Sequence, residues 1–509
     1  MAFANRLAVI DNRNRARPGI TRQINAAAVP IVVASYFGGG LYLLSDGTNL
    51  WSYSTLTKVL TLLTTGLPFV AGAGSAPINS CPGGNPGTNA ALFLNQGAGL
   101  YYWDGTNLNT VSMPTASPNM SYPIWFSNRL VTARTGTNDV VFGDLGAIPP
   151  NFGPGNNDLS VRVTLDAEGS DAINGLMGFQ VGVVLAAKKG KIYAIYADPT
   201  ATVANFHKQI VSSVVGVAEH NTMRQIGNDA LMLSESANGV FRLSTLQGTD
   251  NVGVTDKLSA RIQPDINRIN WNVIYTSRAI VWQDLYILAV PLDGSTVPNA
   301  LLVYSVPLDE WQGIWTGTNQ DGSTAVWRAL FANPSAPGGS ELLYAFQNGD
   351  VGLQTKPQSG LFNDVAIDGV TPIPIVSSIL SRGFHWDSTI VPPSAGGQPY
   401  NTKFLNQVQP YNVRLRFSQS VAPVTVDVIT DTNETDGVLL NLSTTTKVLQ
   451  LPHDLPWNLD TTGDQYASFN VQGVAGECNE LQVRLTGTGD WRLHKMDATA
   501  FISKPKDNL

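Results

Sequence analysis

The chain has 509 residues, a formal charge of −7 and 14% charged side chains, against about 25% in an average soluble protein. Its 43% apolar content excludes an intrinsically disordered chain, and its acidic balance argues against a dedicated nucleic-acid binder. Two cysteines exclude a disulfide scaffold and a cysteine-rich zinc fold, and the length suits about two to four domains at roughly 100–200 residues each.

Basic residues crowd the start of the chain: Arg6, Arg13, Arg15, Arg17 and Arg22. From Gln23 to Asn128 the only basic residue is Lys58. Residues 1–30 therefore read as a basic N-terminal arm with a first strand. Arg13, Arg15 and Arg17 are candidates for docking an acidic partner or, as a lesser alternative, nucleic acid, and a solvated, flexible terminus is the bland reading. No apolar run has signal-peptide length, so a secretion signal is not expected, and the sequons at Asn119, Asn433 and Asn441 read as chance matches. The uncharged stretch 26–44 contains Pro30 and Gly38-Gly39-Gly40. It reads as strand, glycine turn, strand rather than a spanning helix, and no stable membrane insertion is expected.

From there on, short β-branched and aromatic runs dominate, at 41–44, 92–94, 181–187, 192–196, 286–291 and 301–306. Helical turns are expected only around Pro264, over 256–262 and 265–271. Asp46-Gly47-Thr48-Asn49-Leu50 recurs as Asp104-Gly105-Thr106-Asn107-Leu108, each after an apolar aromatic run. Asp-Gly is a hairpin signal, expected here as a type I′ turn with positive φ at both central residues. Further turns fall at Lys189-Gly190, Asn238-Gly239, Asp293-Gly294 and Asn348-Gly349.

Strand units recurring about every 50 residues indicate a β-propeller of six or seven blades over 31–355. Turn spacing alone leaves two tandem β-sandwiches open. Residues 356–400, rich in Pro and Gly, read as a connector with a long loop. Alternating strands return at 413–418, 424–430, 481–485 and 491–493, so 401–509 reads as a separate β-sandwich platform domain. The fold class is all-β, a β-propeller-like domain followed by that platform.

Chemistry is hard to find. None of His207, His220, His385, His453 and His494 pairs with another at metal-ligand spacing. No G-x-S-x-G elbow or P-loop occurs, and Gly72-Ala-Gly74 fails the dinucleotide pattern because Pro77 stands at its last glycine position. The polar run Asp431 to Gly437 fails the calcium-loop register and reads as an ordinary loop. Ser45-Asp46-Gly47-Thr48 lacks the spacing of sialidase turns. Trp311 and Trp315 read as packing residues rather than a sugar platform. No catalytic residue, cofactor site or metal site is expected.

Several patterns together resemble the tail nozzle (tail tubular protein B) family of short-tailed bacteriophages. They are Arg17-Pro18-Gly19-Ile20; Gly239-Val-Phe-Arg-Leu243 with Ile262-Gln-Pro264-Asp-Ile266-Asn267; Leu285-Tyr-Ile-Leu-Ala-Val-Pro291 with Asn299-Ala-Leu-Leu-Val-Tyr304 and Trp311; and Lys403-Phe404, Val413-Arg-Leu-Arg-Phe417, Leu481-Gln-Val-Arg-Leu485 and Trp491-Arg-Leu493. The resemblance implies a structural, non-enzymatic virion protein, made in the host cytoplasm and located in the tail. It implies a homo-hexamer below the adaptor and portal ring that carries tail fibres or spikes. Double-stranded DNA passes through it without specific binding. Arg13, Arg15 and Arg17 would then face the adaptor. A weakly charged wall suits such a conduit, since basic walls would hold DNA through counterion release. Another head–tail connector or tail-hub protein, or a carbohydrate-binding propeller, are the alternatives.

Overall fold

A computed structural model describes most of residues 19–380, without 26–30, 39–40, 71–77, 85–90, 97–98, 112–118, 147, 151, 153–160, 166–170, 181, 198–205, 246–251, 334–340, 355–363 and 366–369. Outside that span it describes the strand residues 4–5, 7–10, 13–16, 384–385, 407–418, 424–430, 464–470, 480–488 and 492–504.

The chain is all-β, and its main body is a seven-bladed propeller. Six blades are consecutive four-stranded antiparallel units over 33–65, 79–110, 120–164, 175–212, 224–257 and 278–315. The seventh takes three strands from 327–354 and its fourth from the other end of the chain, Ile20–Asn25. That strand pairs antiparallel with Asp350–Gln354, Leu353 opposite Thr21. The first strands of the seven blades touch one another in a closed ring around the axis.

The core lies between blades. Seven hydrophobic clusters among the described residues each bridge two neighbouring blades, and the last joins blade 7 to blade 1. Period-two geometry sorts the side chains. In Leu285–Val290, Tyr286, Leu288 and Val290 enter the cluster shared with blade 5, while Ile287 and Ala289 enter the one shared with blade 7. A strand buried on both faces needs apolar residues at every position, which is why these runs are continuous rather than alternating. Trp315 is buried in the cluster between blades 6 and 7, and Trp311 packs on Tyr304 and donates its Nε1–H to Leu258 O at 2.9 Å.

The turns correct one expectation. Gly47 and Gly105 have φ of 97° and 98°, but Asp46 and Asp104 are not left-handed, so neither turn is type I′. Each aspartate instead accepts two backbone N–H groups through Oδ1, Asp46 from Thr48 and Asn49 at 2.8 and 2.7 Å, and Asp104 from Thr106 and Asn107 at 2.8 and 2.7 Å. The carboxylate replaces the backbone bond that a type I′ turn would use. The two turns also sit at different places: the first joins the second and third strands of blade 1, the second joins the third and fourth strands of blade 2. Turns at Lys189-Gly190, Asn238-Gly239, Asp293-Gly294 and Asn348-Gly349 all join second and third strands. Around Pro264 the chain forms a 3-10 turn, Leu258–Ile262, and a short helix, Gln263–Ile266, with the proline in the first turn, where its missing N–H costs nothing.

Strands near the two ends of the chain pair with each other. Leu7–Ile10 and Arg13–Ala16 form a hairpin, and the latter pairs with Arg492–Lys504. With Gln407–Ser418 and Asp464–Asn470 they make one five-stranded sheet. The described residues among the first 16 therefore lie in sheets. The stretch 356–400 also contributes strands. Asp364–Val365 extends blade 7, with Pro372–Ile373 at the sheet edge, where a proline is tolerated. Val376–Leu380 lies between Ala4–Asn5 and Glu480–Thr488 in a continuation of the blade 6 sheet.

Candidate functional site at the channel mouth

Antiparallel order puts the start of every first strand at the same end of the channel. Asn79, Met120, Gly175, Arg224, Arg278 and Trp327 begin the first strands of blades 2 to 7. The connection between blades 4 and 5 crosses this mouth as a 3-10 turn, His220–Thr222, with Glu219 as its N-cap.

This turn acts as a stopper anchored on many sides. Asn221 Nδ2 donates to Asn79 Oδ1 of blade 2 at 2.7 Å and to Glu219 Oε1 at 2.8 Å. The His220 ring lies 5.1 Å from the Tyr122 ring of blade 3, and its Nδ1 accepts the Leu176 N–H of blade 4 at 3.2 Å. Tyr286 of blade 6 donates its hydroxyl to Thr222 O at 2.8 Å. Asn174 Nδ2 donates to the carbonyls of Val217 and Ala218 at 2.9 and 2.8 Å. Gly216 lets the loop reach this position. A Cβ there would lie 2.2 Å from Lys189 O and 2.3 Å from Lys188 O, both backbone atoms. One polar turn thus touches blades 2, 3, 4 and 6 and closes one end of the propeller's own channel.

The charges gathered here are unequal. Arg224, Arg278 and Arg328 come from the first strands of blades 5, 6 and 7, and Glu219 from the turn. Burial pushes the Glu219 carboxyl up to about 7, although Arg278, Asn221 and Arg224 oppose it. Burial brings Arg278 down to about 10, with Glu219 opposing and the charges of Arg328 and Arg224 adding to the drop. Burial also lowers Arg224 and Arg328. His220 falls to about 3, through burial first and then Arg224 and Arg278, so the ring is neutral at physiological pH. Its Nδ1 is the acceptor, which leaves the proton on Nε2. Arg224 Nη1 donates to Met223 O at 2.6 Å, whereas Arg278 Nη1 is sealed from solvent and donates to no acceptor among the described residues.

The residues singled out in the sequence lie elsewhere. Arg13 and Arg15 fall in the strand Arg13–Ala16, Arg15 opposite Arg492, and Arg17 lies outside the described residues. Arg22, grouped with the basic arm, is buried in blade 7, its guanidinium 3.4 Å above the Phe346 ring and 3.8 Å from Asp350. The loop 431–437 and the sequons Asn433 and Asn441 lie outside the described residues. Glu219-His220-Asn221 was the missed signal, a polar triplet that interrupts an otherwise apolar connection.

No family model and no curated protein matches the chain. Solved structures similar to it include the N-terminal domain of Nup159 (9% identity, 67% of this chain and 94% of that one, TM-score 0.37). Others are BBS1N in complex with ARL6DN (12%, 68% and 100%, 0.41) and Sqt1 from Saccharomyces cerevisiae (9%, 67% and 99%, 0.40).

Proposed function

We propose that the chain is a structural subunit of the nozzle at the lower end of a short phage tail, not an enzyme. Six copies form a ring in the virion below the adaptor and portal, line the exit path of double-stranded DNA and hold tail fibres or spikes. The observation that carries this reading is that both chain ends leave the propeller and meet in one five-stranded sheet. A propeller bearing a β platform is the architecture that the nozzle resemblance implies. In this reading that sheet and the strands extending blade 6 are the two layers of a β-sandwich platform, and Arg13, Arg15 and Arg17 dock the adaptor.

The stopper bears on where DNA passes. A channel bridged by a 2.7 Å hydrogen bond from Asn221 to Asn79 has no room for a duplex. DNA therefore runs between subunits, along the axis of the ring. An uncharged outer strand, Val59–Thr65, leaves Val59 and Leu62 about half exposed, a surface that a neighbouring copy would cover.

Antibody labelling of particles from the source lysate, viewed by negative-stain electron microscopy, tests the reading. Label confined to the tail tip, with one copy for every two portal subunits, is expected. Label at the head vertex in another ratio would favour a connector or hub protein. No label on any particle would end both virion readings and leave a carbohydrate-binding propeller to test on a glycan array.

A further inference from the structure

We propose that the stoppered mouth of the propeller is a binding site for a small oxyanion of the phosphate class, held by Arg224, Arg278 and Arg328 beside Glu219. The inference is independent of the nozzle reading, because it concerns the propeller's own axis rather than the assembly.

Three observations carry it. The first is convergence. Three guanidinium groups come from the first strands of three consecutive blades and lie close enough for the charges of Arg224 and Arg328 to act on Arg278. Among the described residues, Glu219 is the one carboxylate that acts on Arg224 and Arg278. Even with Glu219 fully ionised, the three half-buried guanidinium groups and this carboxylate carry a net charge of two. Such an excess is costly unless an anion offsets it.

The second is the unused donor. Arg278 Nη1 is shut off from solvent without an acceptor, while Arg224 already spends one nitrogen on Met223 O. A buried guanidinium donor normally has a partner, and the planar fork matches two oxygens of a phosphate. The third is access. Arg224, Arg278 and Arg328 are half-buried rather than fully enclosed, so solvent reaches part of each side chain. A neutral donor stands at the same mouth, His220 Nε2–H, flanked by the Tyr122 ring. Oxyanion sites are built from such a mixture of guanidinium and neutral N–H groups.

The test is thermal unfolding of the full chain in inorganic phosphate, against chloride at matched ionic strength. Phosphate at about one hundred times its dissociation constant is expected to raise Tm by about 2–5 °C over chloride. Arg278→Gln should abolish the increment, and Lys189→Gln, an exposed change, should keep it. Glu219→Gln removes the competing carboxylate and should tighten phosphate binding at least threefold. It also serves if Arg278→Gln fails to fold. Equal Tm in phosphate and chloride would overturn the proposal. So would an undiminished phosphate increment in folded Arg278→Gln, or weaker binding by Glu219→Gln.

Discussion

Two sets of arginines, one buried and one half-buried, teach different things. At the closure of the ring, Arg22 lies flat over Phe346 and beside Asp350, and its Nη2 donates to Asn319 Oδ1 at 3.5 Å. Its charge is balanced locally, and its strand carries Ile20 into the cluster between blades 6 and 7. At the channel mouth, Arg224 and Arg278, with Arg328 beside them, meet one carboxylate among the described residues, Glu219, which burial itself pushes toward neutrality. The closure is built for stability. The mouth carries an electrostatic imbalance that packing does not require, and such imbalance is the usual mark of a site that meets something else.

The largest effect should come from the closure. Removing residues 1–25 leaves blade 7 with three strands and takes Ile20 from its cluster. We expect loss of cooperative unfolding in calorimetry and exposure of the blade 7 edge to aggregation. A truncated chain with an unchanged unfolding transition would erase the contrast. Arg22→Ala should cost about 2–3 kcal/mol in denaturant unfolding, from the lost ring contact and the weakened pairing of Asp350.

The mouth should instead reveal itself through pH. Glu219 has its folded value raised from the ordinary 4.5 to about 7, so its contribution to stability is full below 4.5 and is lost as pH rises through 7. His220 acts with the opposite sign: its folded value is lowered from 6.5 to about 3, so stability is lost as pH falls through that window. Between 4.5 and 6.5 the two slopes cancel. In Glu219→Gln, stability relative to the parent should therefore rise by on the order of 3 kcal/mol between pH 4.5 and 7 and stay level outside that range. A flat difference across the whole range would show that Glu219 is not enclosed with Tyr122, Arg224 and Arg278.

Smaller changes sharpen the picture. Gly216→Ala forces a Cβ onto two backbone carbonyls of the Lys188–Lys189 corner and should cost about 1–3 kcal/mol, with faster amide exchange at Asn221 and Thr222. Asp104→Ala removes an exposed carboxylate that holds two N–H groups and should cost about 1 kcal/mol. The N–H groups of Asn107 and Thr106 hold this carboxyl below its ordinary value, so the loss should fade as pH falls below the usual aspartate range.

Much of the architecture could be read from local signals. Runs such as 192–196 and 301–306 are continuous in apolar residues because each strand feeds two inter-blade clusters, and their limits match the observed strands closely. The strand expected at 424–430 is the observed Val424–Thr430. Long-range pairing was not legible. Nothing in Ile20-Thr-Arg-Gln-Ile-Asn25 indicates that its partner lies at Asp350–Gln354, because register across the ring is set by tertiary packing rather than by turn chemistry. The repeated Asp-Gly-Thr-Asn-Leu motif misleads for a related reason: it encodes a turn, and a blade has more than one turn that will accept it. The mouth was missed because its residues are single positions on different strands, far apart in the chain and joined only by the common end of the first strands.

A three-dimensional map of the intact tail at a resolution that traces strands tests the central claim most directly. The account predicts six seven-bladed propellers set around the tail axis, each with the 219–223 turn across its own channel, and DNA density running between subunits. A tail without this chain, or with its axis running through an open propeller channel, would contradict it.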